Sequence, residues 1–179
     1  MIGDLTWVPV SQRPDLVAPP VAAALASWGG ADRVQVAEID PDVADTAALV
    51  EAHGVPAAAS ANCVVVAGRR AGEQRVAACV VQATTRADVN SVVRKALDVR
   101  KASFLSTDEA VAATGMEYGG ITPIGLPAGW RLLVDSAVLE LPIAVIGSGL
   151  RRSKLALPGE LLGNLPDAEA VVGLGRLVA

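Results

Sequence analysis

Gly115-Met-Glu-Tyr-Gly-Gly-Ile-Thr-Pro-Ile-Gly-Leu-Pro127 is a glycine- and proline-punctuated loop too elaborate for an ordinary turn. Gly115, Gly119, Gly120 and Gly125 let the backbone take positive φ or approach a ligand closely, while Pro123 and Pro127 fix φ and remove donors. Such a loop can present bare backbone groups to a substrate, or it can be a long structural crossover between packed elements. What flanks it decides the fold. On its N-terminal side, Thr107 with Asp108 and Glu109 opens a helix that ends at Gly115, so the loop leaves a helix. On its C-terminal side come strand-like runs at 131–135, 143–146 and 154–157, joined by Gly- and Pro-bearing turns. A short helix over 158–163 and a last strand at 170–172 complete this half, which is mostly sheet.

Further upstream, residues 14–28 read as a helix begun by prolines and closed by Gly29-Gly30. Residues 33–39 alternate apolar and polar, as a strand with one buried face does. A second helix over 44–53 stops at Gly54-Val-Pro56. Two β-branched runs, 63–67 and 75–81, flank Gly68-Arg-Arg-Ala-Gly72 and predict an antiparallel hairpin. Asp88 caps a helix through about Leu97. Hairpins, mixed strand order and intervening helices favour an α+β architecture over a regular doubly wound sheet. With 179 residues and no repeat, linker or composition break, the chain reads as one domain, 1–179.

Composition narrows the function classes. An apolar content of 52% argues for a folded globule throughout. Mean hydropathy is +0.44, yet no window approaches the ~20 uninterrupted apolar residues of a spanning helix. A soluble protein is expected. The N-terminus lacks the basic start and apolar run of a secretory signal, which makes the cytoplasm the default location and the two cysteines reduced thiols. Cys63 and Cys79 sit in separate apolar runs, and no zinc site follows from them. The one histidine, His53, stands before Gly54 at a helix end, where it can pair with terminal carbonyls or the helix dipole. A His-based triad or multi-His metal centre is excluded. The net charge of −4 rules out a globally basic nucleic-acid binder. Two local basic groups remain, Arg94, Lys95, Arg100 and Lys101 at a helix end and Arg151, Arg152 and Lys154 after a glycine turn. Each is either a solvated face or a contact for a few phosphates.

Two separated motifs carry a resemblance: Gly119-Gly-Ile-Thr-Pro-Ile-Gly125, preceded by Thr114-Gly115, and Val145-Ile-Gly-Ser-Gly-Leu-Arg-Arg-Ser-Lys-Leu-Ala-Leu157. Together with Asp45-Thr-Ala-Ala-Leu-Val-Glu-Ala-His-Gly-Val-Pro56 and the Val-rich strand after it, they make residues 32–174 resemble the YbaK/ProX group of aminoacyl-tRNA-synthetase-associated editing domains. Residues 1–31 are an extension outside the resemblance. The resemblance implies a mixed, barrel-like β-sheet surrounded by helices, with a pocket between sheet and glycine loop. It also implies trans-editing, the hydrolysis of the ester linking a wrong amino acid to the 3′ adenosine of tRNA, without metal or cofactor. The partners implied are the aminoacyl-tRNA and a synthetase. On this reading Gly120 and Ser148 join Asn62 at the chemistry. Cys63, Tyr118, Gly119, Pro123, Gly125, Gly147 and Gly149 surround the substrate, and Arg151, Arg152 and Lys154 meet tRNA phosphates.

One departure stands out. The family's lysine begins the strand after the second helix, where this chain has Asn62 followed by Cys63-Val-Val-Val66. An ammonium there can anchor phosphate or polar groups, whereas a neutral amide offers ordinary hydrogen bonds. Three readings follow. Asn62 binds an altered substrate through its amide, or a lysine elsewhere such as Lys154 supplies the charge, or the pocket binds an aminoacyl, nucleotide or small amino-acid-like ligand without catalysis. Cys63 lacks a histidine base and reads as a pocket-wall or core thiol rather than a nucleophile.

Overall fold

The β-branched run at 61–70 and the apolar run at 73–82 form the long hairpin at the centre of the molecule. The computed structural model describes residues 2–178, so the two ends of the expected 1–179 unit lie outside the described residues. In chain order its strands are Val8–Pro9 (β1), Gln35–Glu38 (β2), Ala61–Arg70 (β3), Glu73–Gln82 (β4), Thr85–Ala87 (β5) and Ala102–Phe104 (β6). Arg131–Asp135 (β7), Ala144–Gly147 (β8), Ser153–Leu157 (β9), Ala168–Val171 (β10) and Gly175–Leu177 (β11) follow. The α-helices are Pro19–Ser27 (α1), Thr46–His53 (α2), Arg94–Ala96 (α3), Thr107–Thr114 (α4) and Ser136–Leu139 (α5).

The hairpin strands run longer than predicted because the turn is only Ala71-Gly72, both at positive φ (51° and 83°), with Arg70 paired to Glu73. Two positive-φ residues match the right-handed twist of the flanking strands. β4 is buried on both faces from Val76 to Val81, which explains its continuous apolar run. It is the inner strand of a five-stranded sheet in the order β10-β7-β4-β3-β6, and β1-β2-β9-β8 forms a second sheet. An isolated parallel bridge between Ser60 and Val145 joins the two sheets. The α+β class is as predicted, and among the described residues the strands form several separate sheets rather than a closed barrel.

Helix ends follow their local chemistry. Asp45 caps α2 by accepting from the Ala48 N–H at 2.9 Å, and Gly54 closes it at φ 64°. The cap of α4 is Ser106, one residue before the predicted start, in a reciprocal capping box with Glu109. The helix predicted from Asp88 opens as a π-type turn over Val89–Val93 before regularising into α3. The first predicted helix is split, with a 3-10 turn at Pro14–Leu16 preceding α1.

The N-terminal extension packs inward. Val21 and Leu25 of α1 join the largest apolar core with Val36, Ile146 and Leu155. A smaller core sets Leu49 of α2 against Ala37 and Val145. Among the described residues, no helix is long and apolar enough to cross a membrane.

Candidate active site

The N-terminus of α2, the start of β3, the end of β6, the start of α4 and the glycine loop enclose a cleft of about 710 Å³. That volume suits a small ligand or the end of a larger one. Its polar groups come from Asp45, Thr46, Ser60, Asn62, Thr107, Arg151 and Lys154, and its apolar wall from residues such as Leu49, Val65, Ile121 and Val145.

Strand parity puts Lys154 there. In β9, Leu155 and Leu157 face the main core, while Lys154 takes the opposite face beside its register partners Ala37 and Gly147. From there its side chain reaches the start of α2. The Lys154 ammonium donates to the Ala44 carbonyl at 2.6 Å, and the residue is only 9% exposed. Burial, followed by repulsion from Arg151, lowers its pKa to about 8, and the nearby Asp45 carboxylate opposes the fall. Lys154 is therefore no surface contact for tRNA phosphates, as its place beside Arg151 and Arg152 in the sequence suggests. It is a cation in the cleft wall.

Asn62 is exposed to the cleft, and its side-chain oxygen accepts from Thr46 Oγ1 at 3.4 Å. Its amide N–H groups remain the donors it can offer. Cys63 lines the same wall, and burial followed by repulsion from Cys79 pushes its thiol well above the ordinary range. Burial also pushes Cys79 up to about 12. Neither sulfur is an activated thiolate. The His53 ring pairs with the Asp4 carboxylate at 2.8 Å, away from the cleft. Among the described residues, no three His, Cys, Asp or Glu side chains gather as a metal site.

The glycine loop and the β8–β9 turn clamp each other through backbone. Glu117 N–H donates to the Gly149 carbonyl at 2.8 Å, and Gly149 N–H donates to the Gly120 carbonyl at 2.7 Å. A Cβ on Gly147 would lie 2.5 Å from the Gly120 oxygen, and one on Gly120 would lie 2.8 Å from the Leu150 backbone. Gly119, Gly147 and Tyr118 line the cleft.

Several other expected site residues do not. Gly120 is buried behind Gly119. Ser148 is fully buried, accepting from Leu150 N–H at 3.1 Å and bonding to Ser153 Oγ at 2.7 Å. That hydroxyl holds the turn together and does not reach the cleft. Pro123 and Gly125 face α1 on the other side of the loop, where a Cβ on Gly125 would strike the Pro20 carbonyl at 2.4 Å. Gly149 likewise packs on Ala18. These residues brace the motif from behind, helped by Ala18 N–H donating to the Ser148 carbonyl.

Arg151 spans the cleft edge, its guanidinium donating to the carbonyls of Tyr118 at 3.2 Å and Pro41 at 2.9 Å. Arg152 points away, donating to the Asp15 carbonyl at 2.6 Å. Both spend their donors on the protein's own backbone. Sequence reasoning missed Asp45, Thr46, Phe104 and Thr107 as cleft residues. The first two announce themselves only as a helix start, and Phe104 ends a three-residue strand too short to show a period.

The fold is an α+β domain with an open cleft between the start of β3 and a glycine loop. Residues 40–164 match the family described as aminoacyl-tRNA editing domain. The chain belongs to that family. Its fold is similar to a solved structure described as a candidate trans-editing enzyme for prolyl tRNA synthetase, with a TM-score of 0.74, 18% identity, and coverage of 89% of this chain and 99% of that one. It is also similar to a scaffold from work on epitope backbone grafting by computational design (TM-score 0.70, 20% identity, coverage 89% and 96%). A hypothetical protein matches at TM-score 0.66 and 23% identity, over 80% of this chain and 91% of that one.

Proposed function

We propose that the protein is a trans-editing deacylase that hydrolyses the ester of a mischarged aminoacyl-tRNA, working in the cytoplasm alongside a synthetase. The observation that carries this reading is the buried Lys154 ammonium in the wall of the cleft that also holds Asn62. The cation expected at position 62 is supplied from β9 instead. Family membership supports aminoacyl-tRNA as the substrate class.

The chemistry needs few protein groups. Water attacks the ester carbonyl, the bond to the ribose oxygen breaks, that oxygen takes one of the water's protons, and the amino acid leaves as a carboxylate with the other proton released to solvent. Lys154 stabilises negative charge that develops on the substrate, in a wall where low dielectric strengthens the interaction. The Asp45 carboxylate suits the substrate's α-ammonium. Asn62 donates amide N–H groups to the ribose or the carbonyl. The bare backbone at Gly119 and Gly147 lets the acyl end approach closely.

The silent-binder reading rests on the neutral Asn62. Incubating the protein with a panel of mischarged tRNAs separates the two. Release of amino acid from any panel member supports the deacylase, and saturable binding without release supports the binder.

A further inference from the structure

The cleft accounts for the acyl end of a substrate and leaves open where the rest of a nucleic acid would lie. Residues 69–101 carry eight Lys and Arg against three Asp and Glu, in a chain whose totals are 15 and 19. The folded chain gathers the core of this excess at one place. Gly68 pairs with Ala102 across β3 and β6, so Arg69 and Arg70 lie next to Arg100 and Lys101 at the same end of the sheet. Asp98 follows α3 and receives both Arg70 and Arg75, one carboxylate between two guanidiniums. The Asp98 N–H in turn donates to the Lys95 carbonyl. Among the described residues, Arg69, Lys95, Arg100 and Lys101 are exposed and take part in no ion pair.

β6 connects this basic end to the cleft. From Lys101, just before the strand, to Phe104 at its end the chain spans about 10 Å at roughly 3.3 Å per residue. Phe104 is the chain's one phenylalanine, is 60% exposed, and lines the cleft. Tyr118, its one tyrosine, is 63% exposed on the cleft's glycine loop. Large aromatic faces left in solvent at a cleft mouth suit stacking by nucleobases, and a cationic track leading from them suits the phosphates that follow.

We infer that the single-stranded end of a bound nucleic acid stacks a base on Phe104 and leaves the cleft along β6 onto the basic end formed by Arg69, Arg70, Lys95, Arg100 and Lys101. The direction of the strand rests on the deacylase reading, while the binding surface does not. Arg151 and Arg152 are then structural clamps rather than phosphate contacts.

The test measures binding of uncharged tRNA to the full chain by fluorescence anisotropy over a range of KCl, for the parent, Arg100→Glu/Lys101→Glu, Phe104→Ala, and Arg33→Glu as a control reversal. Hydrolysis of aminoacyl-tRNA and of a short aminoacyl-adenosine ester is followed in parallel. The double reversal should weaken tRNA binding about tenfold or more and flatten the salt slope by about 1.5. Hydrolysis of the short ester should stay at the parent rate. Phe104→Ala should weaken binding about tenfold with the salt slope unchanged. Equal tRNA affinity for the parent and the double reversal would overturn the inference, as would an equal loss in Arg33→Glu. So would reversals that abolish adsorption to anionic vesicles and leave tRNA binding intact. If the parent hydrolyses neither ester, the deacylase reading fails, and the anisotropy series still decides the surface.

Discussion

The Lys154 ammonium lies 2.6 Å from the carbonyl oxygen of Ala44, the residue just before the N-cap of α2. A lysine from the second sheet is thereby tied to the helix that forms one edge of the cleft. The carbonyl satisfies one of three ammonium donors, and the cleft is where the others can act.

Replacing Lys154 by Met keeps the stem and removes the charge. Loss of one preorganised donor from a developing oxyanion costs about 100-fold or more, so kcat/KM for ester hydrolysis should fall by about that factor in Lys154→Met. Tyr118, Asn62 and the tRNA surface are untouched, so tRNA affinity should hold. Equal hydrolysis rates for parent and variant would remove Lys154 from the chemistry.

The pH profile carries the sign of the same group. Lys154 acts as an ammonium, and its pKa is lowered to about 8. Hydrolysis should therefore decline as pH rises through about 8, against the ordinary increase with hydroxide. Lys154→Met should lose this decline. A parent rate that climbs steadily above pH 8 would contradict the assignment.

Stability moves the other way. The folded pKa of Lys154 lies below its ordinary 10.5, so between about pH 8 and 10.5 the unfolded chain binds more protons and this group makes stability rise with pH. The full effect is on the order of 3 kcal/mol. Cys63 and Cys79 act oppositely above about 9, because their folded pKa values are raised and their contribution is lost as pH climbs. Denaturant unfolding of parent and Lys154→Met across this range isolates the lysine. The variant should gain relative stability below pH 8 and lose that gain above it.

Ser148 separates a structural hydroxyl from a catalytic one. Its bonds to Leu150 and Ser153 are all internal, so Ser148→Ala should cost about 1–3 kcal/mol of stability. The kcat of the folded fraction should be unchanged. A large fall in kcat with normal stability would return Ser148 to the reacting atoms.

Much of the architecture was legible because the elements announce themselves locally. The Val-rich runs of β3 and β4, the Gly54 and Gly115 helix stops, and the two glycine motifs all stand where their residues indicate. Strands of two or three residues, β1, β5, β6 and β11, were not legible, since a period of two needs more length to appear. The site was read less completely. Asn62, Gly119 and Gly147 could be placed at the cleft from the motifs. Whether Lys154 or Ser153 faces the cleft depends on the register of β9 between β2 and β8, which a single sequence does not carry. Pro123, Gly125 and Gly149 belong to the motif for their contact with α1, a helix that lies outside the resemblance.

The steric seam between the two motifs gives a further check. A Cβ at position 147 meets the backbone of Gly120 and Ile121, which cannot swing aside as a side chain can. Gly147→Ala should destabilise the chain by about 2 kcal/mol and lower Tm by about 4–8 °C. Gly120→Val should lower it further. Calorimetry on both variants tests the seam, and unchanged Tm values would refute it.

The most direct test of the account is release of labelled amino acid from mischarged tRNAs by the parent, Asn62→Ala and Lys154→Met, with tRNA binding measured on the same samples. The account predicts turnover of at least one panel member by the parent and about tenfold or greater loss in each variant, with tRNA binding retained. Absence of turnover by the parent, or parent-like rates in both variants, would contradict a deacylase built on this cleft.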